Sequence, residues 1–209
     1  AFYSRKDLQK LEKFMEGKSI SEQEIGRQLL KETAAYAESS LCRRKLLLHY
    51  FGENFQKGNC GNCDNCLNPQ KKVEAKENLC KVLNTVLATK ENFKEDYLKD
   101  VLIGRATDEV CAHKHNKIEE FGCGDDVSDK VWYAVIRQAV VAGYLEKDVD
   151  NYGVLKVTDK GMDFLENPCS FKIVEDRDYE NAEPNIPLQG GEACTVDPLL
   201  YQMLKDLRK

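Results

Sequence analysis

The sequence lacks any long hydrophobic run. None of its apolar stretches approaches the roughly 20 residues that cross a bilayer, and charged residues stand early, where a secretory leader would carry an apolar segment. Hydrophobic residues make up 42% and charged residues 32% of the 209 positions, which is typical of a globular chain and excludes a disordered one. We therefore predict a cytoplasmic protein without a membrane partner.

A nucleotide-binding motif is also absent. Gly17, Lys18 and Ser19 match the end of a phosphate-binding loop, but that motif needs a preceding strand and a glycine where this chain has Glu12. No other stretch matches such a motif. We therefore expect that this chain alone does not hydrolyse ATP.

An excess of positive charge is missing as well, since the formal net charge is −5. Residues 1–73 carry 13 Lys and Arg against 9 Asp and Glu, whereas residues 74–165 carry 13 against 18. The first third could lie on a polyanion. The remainder has no overall basic footprint of the kind that marks nucleic-acid binding.

Cysteine, by contrast, is abundant, with nine residues. The stretch "GNCGNCDNC" (residues 58–66) brings Cys60, Cys63 and Cys66 close together in sequence. In a reducing cytosol, clustered thiols indicate metal or redox chemistry rather than disulfides. A closed structural zinc site takes four ligands, so the pattern requires a fourth.

Three residues are candidates for that fourth ligand: Cys42, His49 and Cys80. Cys42 stands at the start of a helix predicted from "LCRRKLLLHYFG", which should end at Gly52. His49 lies about two turns further along, on a different face, and Cys80 falls on the expected core face of a later helix. We predict Cys42, because a helix could hold one thiolate while the loop folds three more over it.

Zinc is favoured over an iron–sulfur cluster. The bacterial ferredoxin pattern continues with a fourth cysteine where this chain has Gln70. Four thiolates leave zinc no open position for water, so the site should be structural. A second set of metal-ligating residue types, Cys111, His113, His115 and Cys123, is interpreted as surface histidines and half-buried thiols.

The hydrophobic pattern predicts a mainly α fold with a small β-hairpin. Ser21 and Glu24 fit a capping box at the start of a helix. Apolar residues recur at helical spacing over 79–87 and predict a helix there. A shorter helix is predicted over 97–102, and a third begins after a cap at Ser128. Two β-favouring runs then flank residues 150–153. Three helices followed by a hairpin is the order of a winged helix.

Several stretches resemble RecQ-family DNA helicases. "FYSRKDLQKLEKFMEG", "AAYAESSLCRRKLLLHYFGE" and "CGNCDNCLNP" resemble the region just past the family's motor, and "FGCG" and "VIRQAVVAGYL" resemble its winged-helix, or RQC, domain. The likeness covers about residues 1–165. It implies a bacterial, nucleoid-associated, ATP-dependent 3′→5′ helicase of recombination and repair. Zinc would be held by Cys42, Cys60, Cys63 and Cys66, whereas ATP and Mg²⁺ would bind only in motor domains outside this chain.

The resemblance also divides the chain into four segments. Residues 1–72 are assigned to the end of the motor and a helical-hairpin zinc-binding domain, and residues 73–167 to the winged helix. Residues 168–197, rich in proline and acid, are assigned to a linker. Residues 198–209, with "YQMLKDLRK", are assigned to a truncated helix leading toward an HRDC domain.

In the family, the β-hairpin meets duplex DNA at the fork, and its tip aligns with Tyr152. Further DNA contacts are assigned to Lys147, Arg105, Lys114, His115 and Lys117, where Arg105 stands in for an arginine that relatives carry before Gly104. Asp108 and Glu109 follow and would oppose phosphates. The expected partners are duplex and forked DNA. The alternatives are a stand-alone zinc and winged-helix DNA-binding regulator or a protein-docking module.

Overall fold

The N-terminal part of the chain is helical. The computed structural model describes residues 5–53, 55–148, 151 and 153–176. Its first four helices are α1 (Arg5–Lys13), α2 (Ile20–Glu38), α3 (Arg43–Tyr50) and the single turn α4 (Asp64–Leu67). None of the helices among the described residues is long and apolar enough to cross a membrane.

The helix α2 begins two residues earlier than the sequence predicted. Its capping box is formed by Ser19 and Glu22: the Glu22 N–H donates to Ser19 Oγ, and the Ser19 N–H donates to the Glu22 carboxylate. The box at Ser21 and Glu24 was therefore the wrong one. Both pairs satisfy the same spacing, so the sequence offered two overlapping matches.

The end of α3 confirms the predicted stop at Gly52. This glycine has a φ of +78°, a left-handed conformation that glycine adopts without steric cost. The Gly52 N–H donates to the His49 carbonyl at 3.0 Å, and the Glu53 N–H donates to the Leu48 carbonyl at 2.8 Å. These bonds satisfy carbonyls that the helix end would otherwise leave without a partner.

The second part of the chain is a winged helix, which confirms the predicted fold class. Helices α5 (Lys76–Ala88), α6 (Glu95–Ile103) and α8 (Asp129–Val141) precede a hairpin of β2 (Leu145–Asp148) and β3 (Val154–Val157). The strands are antiparallel, with Leu145 opposite Val157. Between α6 and α8 lie α7 (Asp108–Ala112) and a 3₁₀ turn (His115–Lys117), and α9 (Asp159–Glu166) follows the hairpin.

The winged helix surrounds one hydrophobic core. The inward faces predicted for α5 and α8 are confirmed, since the side chains of Leu79, Leu83 and Trp132 are fully buried. The indole N–H of Trp132 donates to the Gly124 carbonyl at 3.1 Å. A β-carbon at Gly124 would lie 2.2 Å from the Trp132 ring. Only glycine therefore fits at this position of the "FGCG" motif.

A second sheet completes the winged helix with a strand that comes after residue 167, where the sequence predicted the domain to end. Strand β4 (Lys172–Val174) pairs antiparallel with β1 (Lys72–Glu74). Phe171 and Ile173 are buried in the same core as α5 and α8. Residues 171–174 thus belong to the fold rather than to a linker. The remaining linker residues, 177–197, and the helix predicted over 198–209 lie outside the described residues.

Candidate metal centre and nucleic-acid interface

Four thiols converge in the N-terminal region, and we call them the thiol cluster: Cys42, Cys60, Cys63 and Cys66. Their Sγ atoms all lie within 4.8 Å of one another, and those of Cys60 and Cys66 are 3.9 Å apart. A tetrahedral zinc with Zn–S bonds of about 2.3 Å has sulfur–sulfur edges of about 3.8 Å. The cluster therefore has the donor set and the size that zinc requires.

The other residue types considered for a metal do not join the cluster. Of the three candidates for the fourth position, the structure brings Cys42 to the other three cysteines, and neither His49 nor Cys80 is part of the group. Within the part of the chain that the structure describes, the thiol cluster is the one group of three or more such ligands. Cys111, His113, His115 and Cys123 form no comparable site there.

Two helix starts position the thiols. Cys42 is the N-cap residue of α3 and is only 7% exposed, and Cys63 is the N-cap residue of α4. Cys42 and Cys63 are therefore each fixed to the first turn of a helix. Cys60 and Cys66 lie on either side of Cys63, so the loop and α4 together carry three of the four sulfurs.

An arginine beside the cluster ties its two halves together. The Arg43 guanidinium donates to both carboxylate oxygens of Asp64, at 3.1 and 3.0 Å. It also donates to the carbonyls of Tyr36 and Ala37 at the end of α2. Bidentate arginine–carboxylate pairs fix orientation as well as distance. This contact therefore holds the loop that carries three cysteines against the α2–α3 connection that carries the fourth.

The thiols of the cluster differ in acidity. The backbone N–H of Asn62 lowers the pKa of Cys60 to about 6, with a further contribution from the backbone N–H of Cys63. Burial raises the pKa of Cys66 to about 12. Since the thiolate is the form that binds metal, the backbone N–H groups beside Cys60 favour its metal-binding form.

The residues assigned to DNA contacts fall into two groups. Lys147 on β2 and Arg105 after α6 are both held by carboxylates. The Lys147 ammonium lies 2.7 Å from Glu32 of α2, and the Arg105 guanidinium lies 3.0 Å from Asp100 and 3.5 Å from Asp129. A phosphate could bind either side chain only in competition with these carboxylates.

The second group lies in the 3₁₀ turn that follows α7 and at the residue just before it. Lys114 and Lys117 are exposed there. His115 is anchored, because its Nδ1 and the Tyr97 hydroxyl are hydrogen-bonded at 2.7 Å. Burial lowers the pKa of His115, with further lowering by His113 and Lys90. Tyr152 lies outside the described residues.

Contacts between α2 and the winged helix were not foreseen from the sequence. The Lys94 ammonium lies 2.8 Å from the Glu24 carboxylate, and Lys31 of α2 pairs with Asp96 of α6. With the Glu32–Lys147 pair, these contacts link α2 to both α6 and the hairpin. Their charges were visible in the sequence, but no local pattern says which residue meets which.

Comparison with known families assigns both halves of the chain. A RecQ zinc-binding family model matches residues 5–67, and an RQC domain model matches residues 69–182, which is more than half of the chain. This chain belongs to the RecQ family. We use "zinc-binding region" for residues 5–67 and "RQC region" for residues 69–176.

Two curated relatives match over the whole chain. The ATP-dependent DNA helicase RecQ of Haemophilus influenzae is 30% identical over 212 residues, and that of Pasteurella multocida is 34% identical over 210. The chain spans about a third of the length of these relatives, 34% and 33% respectively. The resemblance drawn from the sequence is therefore confirmed. The RQC match also includes β4, in agreement with its place in the fold.

Proposed function

We propose that this chain is the accessory region of a RecQ-type 3′→5′ DNA helicase that acts in recombination and repair. The observation that carries the proposal is the continuous order of the two parts: a four-thiol cluster of zinc dimensions followed directly by an RQC winged helix. ATP and Mg²⁺ would bind in the motor rather than here. Such a role predicts association with the bacterial nucleoid.

Zinc would be bound by Cys42, Cys60, Cys63 and Cys66. A zinc ion with four thiolates supplies cross-linking rather than reaction chemistry, since no position is left for water or substrate. The residues of the chain then do the rest: α3 presents Cys42, and the Arg43–Asp64 pair keeps the loop in register with it. The result is a rigid support for the winged helix.

The exposed surface of the zinc-binding region suggests where the motor lies. Large apolar side chains of α2, of α3 and of its C-cap residue remain open to solvent, including Leu29 at 50%, Tyr50 at 58% and Phe51 at 75% exposure. Exposed apolar surface of this kind is typical of protein contacts. We infer that the motor covers these side chains and that zinc holds the helices that carry them in place.

The RQC region would bind duplex DNA through phosphates. Lys114 and Lys117 are exposed on one turn, and lysine contacts to phosphate carry no sequence information. Arg105 and Lys147 would add contacts only by leaving Asp100 and Glu32. Binding by the isolated chain should therefore be weak, independent of sequence and sensitive to salt.

The test is DNA affinity as a function of salt. Fluorescence anisotropy with forked and plain duplexes of two unrelated sequences should give similar affinities that fall steeply with salt. Lys114→Ala and Lys117→Ala should each reduce the salt slope by about one counterion. Lys172→Ala is the matched control, because it removes an exposed lysine from β4.

Three outcomes would contradict the proposal. Strong preference for one sequence would favour a stand-alone regulator, and absence of DNA binding at low salt would favour a protein-docking module. If Lys114→Ala and Lys172→Ala changed the salt dependence of DNA affinity equally, the assignment of the DNA contact to Lys114 and Lys117 would be wrong.

Tyr152 is proposed as the residue that stacks on the last base pair at the fork. Stacking of an aromatic ring on a base contributes about 1–3 kcal/mol, which compares with about 1.4 kcal/mol for one DNA stacking step. In a polypeptide that joins a RecQ motor to this chain, Tyr152→Ala should slow unwinding, and Tyr152→Phe should not. Unwinding by Tyr152→Ala at the parent rate would refute the assignment.

A further inference from the structure

Asn65 is a buried polar residue inside the cysteine loop. It lies on α4 between Cys63 and Cys66 and is 5% exposed. Its side-chain amide donates to the Ser39 carbonyl at 2.8 Å and to the Leu41 carbonyl at 2.7 Å. Both N–H bonds of one amide group are thus directed at the segment that immediately precedes Cys42.

That segment joins the helical hydrogen bonds at its two ends, where the Ser39 N–H donates to the Ala35 carbonyl and the Cys42 carbonyl accepts from the Leu46 N–H. Helix α2 ends at Glu38 and α3 begins at Arg43, so residues 39–42 connect them. The N–H of Ser40 donates to Asp176 at 3.1 Å, and the N–H of Leu41 donates to Ser39 Oγ at 3.2 Å. Asn65 supplies the donors for the carbonyls of Ser39 and Leu41. Since buried backbone groups need such partners, the path of the chain into Cys42 depends on this side chain.

We propose that Asn65 is a positioning residue of the metal centre, which sets the distance between Cys42 and the loop that carries the other three thiols. The inference rests on the proposed zinc site. Asparagine suits this position because a single nitrogen carries two protons. Leucine has the same branched arrangement of side-chain heavy atoms but no donors, serine retains one donor on a shorter side chain, and aspartate would turn an oxygen toward two carbonyls.

The consequence should be visible in the rate of zinc release. Loss of the two donors leaves the Ser39 and Leu41 carbonyls unsatisfied and allows Cys42 to move relative to the loop. Replacing residues that orient metal ligands weakens metal affinity by about 10–100-fold. The effect concerns the metal rather than the winged helix, whose core lies elsewhere.

The experiment uses the whole chain loaded with zinc. Zinc content is measured first, and release to an excess of a chromogenic chelator is then followed for the parent, Asn65→Leu, Asn65→Ser and Asn59→Leu. Asn59 is an exposed asparagine of the same loop and provides the matched control. Emission of Trp132, the sole tryptophan, reports whether the winged helix remains folded.

We expect each variant to bind zinc and keep its Trp132 emission. Asn65→Leu should release zinc at least about tenfold faster than the parent, Asn65→Ser should be intermediate, and Asn59→Leu should match the parent. Equal rates for Asn65→Leu and Asn59→Leu would overturn the inference while leaving the zinc site intact. If Asn65→Leu is not recovered folded, parent-like release by Asn65→Ser overturns it. A parent chain without zinc would refute the metal site and this inference together.

Discussion

The zinc-binding region and the RQC region are held together by different means. In the RQC region, side chains such as Leu83, Val86 and Trp132 are fully buried in one hydrophobic core. No residue of helices α2 and α3 in the zinc-binding region is fully buried. Among the described residues of that region, the buried ones are Ser39, Ser40, Cys42 and Asn65. A small region without a core requires another source of stability, and a metal is a common one.

Ion pairs link the two regions. Glu24 pairs with Lys94 and Glu32 with Lys147, and these pairs are partly open to solvent. Surface ion pairs contribute about 0–1 kcal/mol each. We therefore expect each region to lose its structure without unfolding the other, and the following predictions test that difference.

The largest effect is expected at the thiol cluster. Cys63→Ser removes one of the four proposed zinc ligands, at the N-cap of α4, and structural zinc contributes about 10–16 kcal/mol in small peptides. The variant should lose zinc and the structure of α2–α4, while Trp132 emission stays that of the folded parent. Elemental analysis and hydrogen exchange measure the two effects.

The control is Cys169→Ser, which removes an exposed thiol outside the cluster. It should retain zinc. Full zinc content in Cys63→Ser would show that the cluster is not the metal site.

An intermediate effect is expected in the RQC core. Leu83→Ala removes a fully buried side chain of α5 and should lower the free energy of unfolding of this region by about 2–5 kcal/mol. Zinc content should not change. Urea unfolding followed by Trp132 emission measures the loss, and Met162→Ala, at 45% exposure on α9, is the matched control. Loss of zinc from Leu83→Ala would mean that the two regions unfold together.

The smallest effect is expected at the rim of the RQC region, where His115 contacts Tyr97. His113 and Lys90 also face the ring, and the pKa of His115 is lowered, chiefly by burial. A histidine with a lowered pKa in the folded state stabilises the fold above its unfolded pKa of about 6.5, and this contribution is lost as pH falls below it. Urea unfolding at about pH 7.5 and pH 5 should therefore show lower stability in acid.

His115→Gln should reduce that difference, because glutamine does not titrate. The result sharpens the comparison between the zinc-binding region and the RQC region, since the parent and His115→Gln should have the same zinc content at the higher pH. A pH dependence unchanged by His115→Gln would exclude this histidine as its source.

The sequence predicted those features that depend on local patterns. Helical spacing predicted α5 and α8. The spacing of Cys60, Cys63 and Cys66, together with a helix that starts at Cys42, predicted Cys42 as the fourth member of the thiol cluster. The capping box was placed two residues late, because Ser19 and Ser21 are each followed by a glutamate at the same interval. Strand β4 was missed because its partner β1 lies far away in the chain, and short strands carry no periodic signal of their own.

The polar contacts of the site were the least predictable. Asn65 looked like one more loop asparagine, and its burial follows from the meeting of α4 with the α2–α3 connection. The partner of Lys147 lies 115 residues away on α2. No sequence pattern couples residues at that distance, so such contacts emerge only from the three-dimensional arrangement.

The most direct test of the account is hydrogen exchange of the whole chain before and after zinc is removed by a chelator. We predict that protection is lost over α2, α3 and the cysteine loop, and that α5, α8 and the β2–β3 hairpin keep theirs. Unchanged protection in the zinc-binding region, or its loss throughout the chain, would contradict the claim that metal holds one region and a hydrophobic core the other.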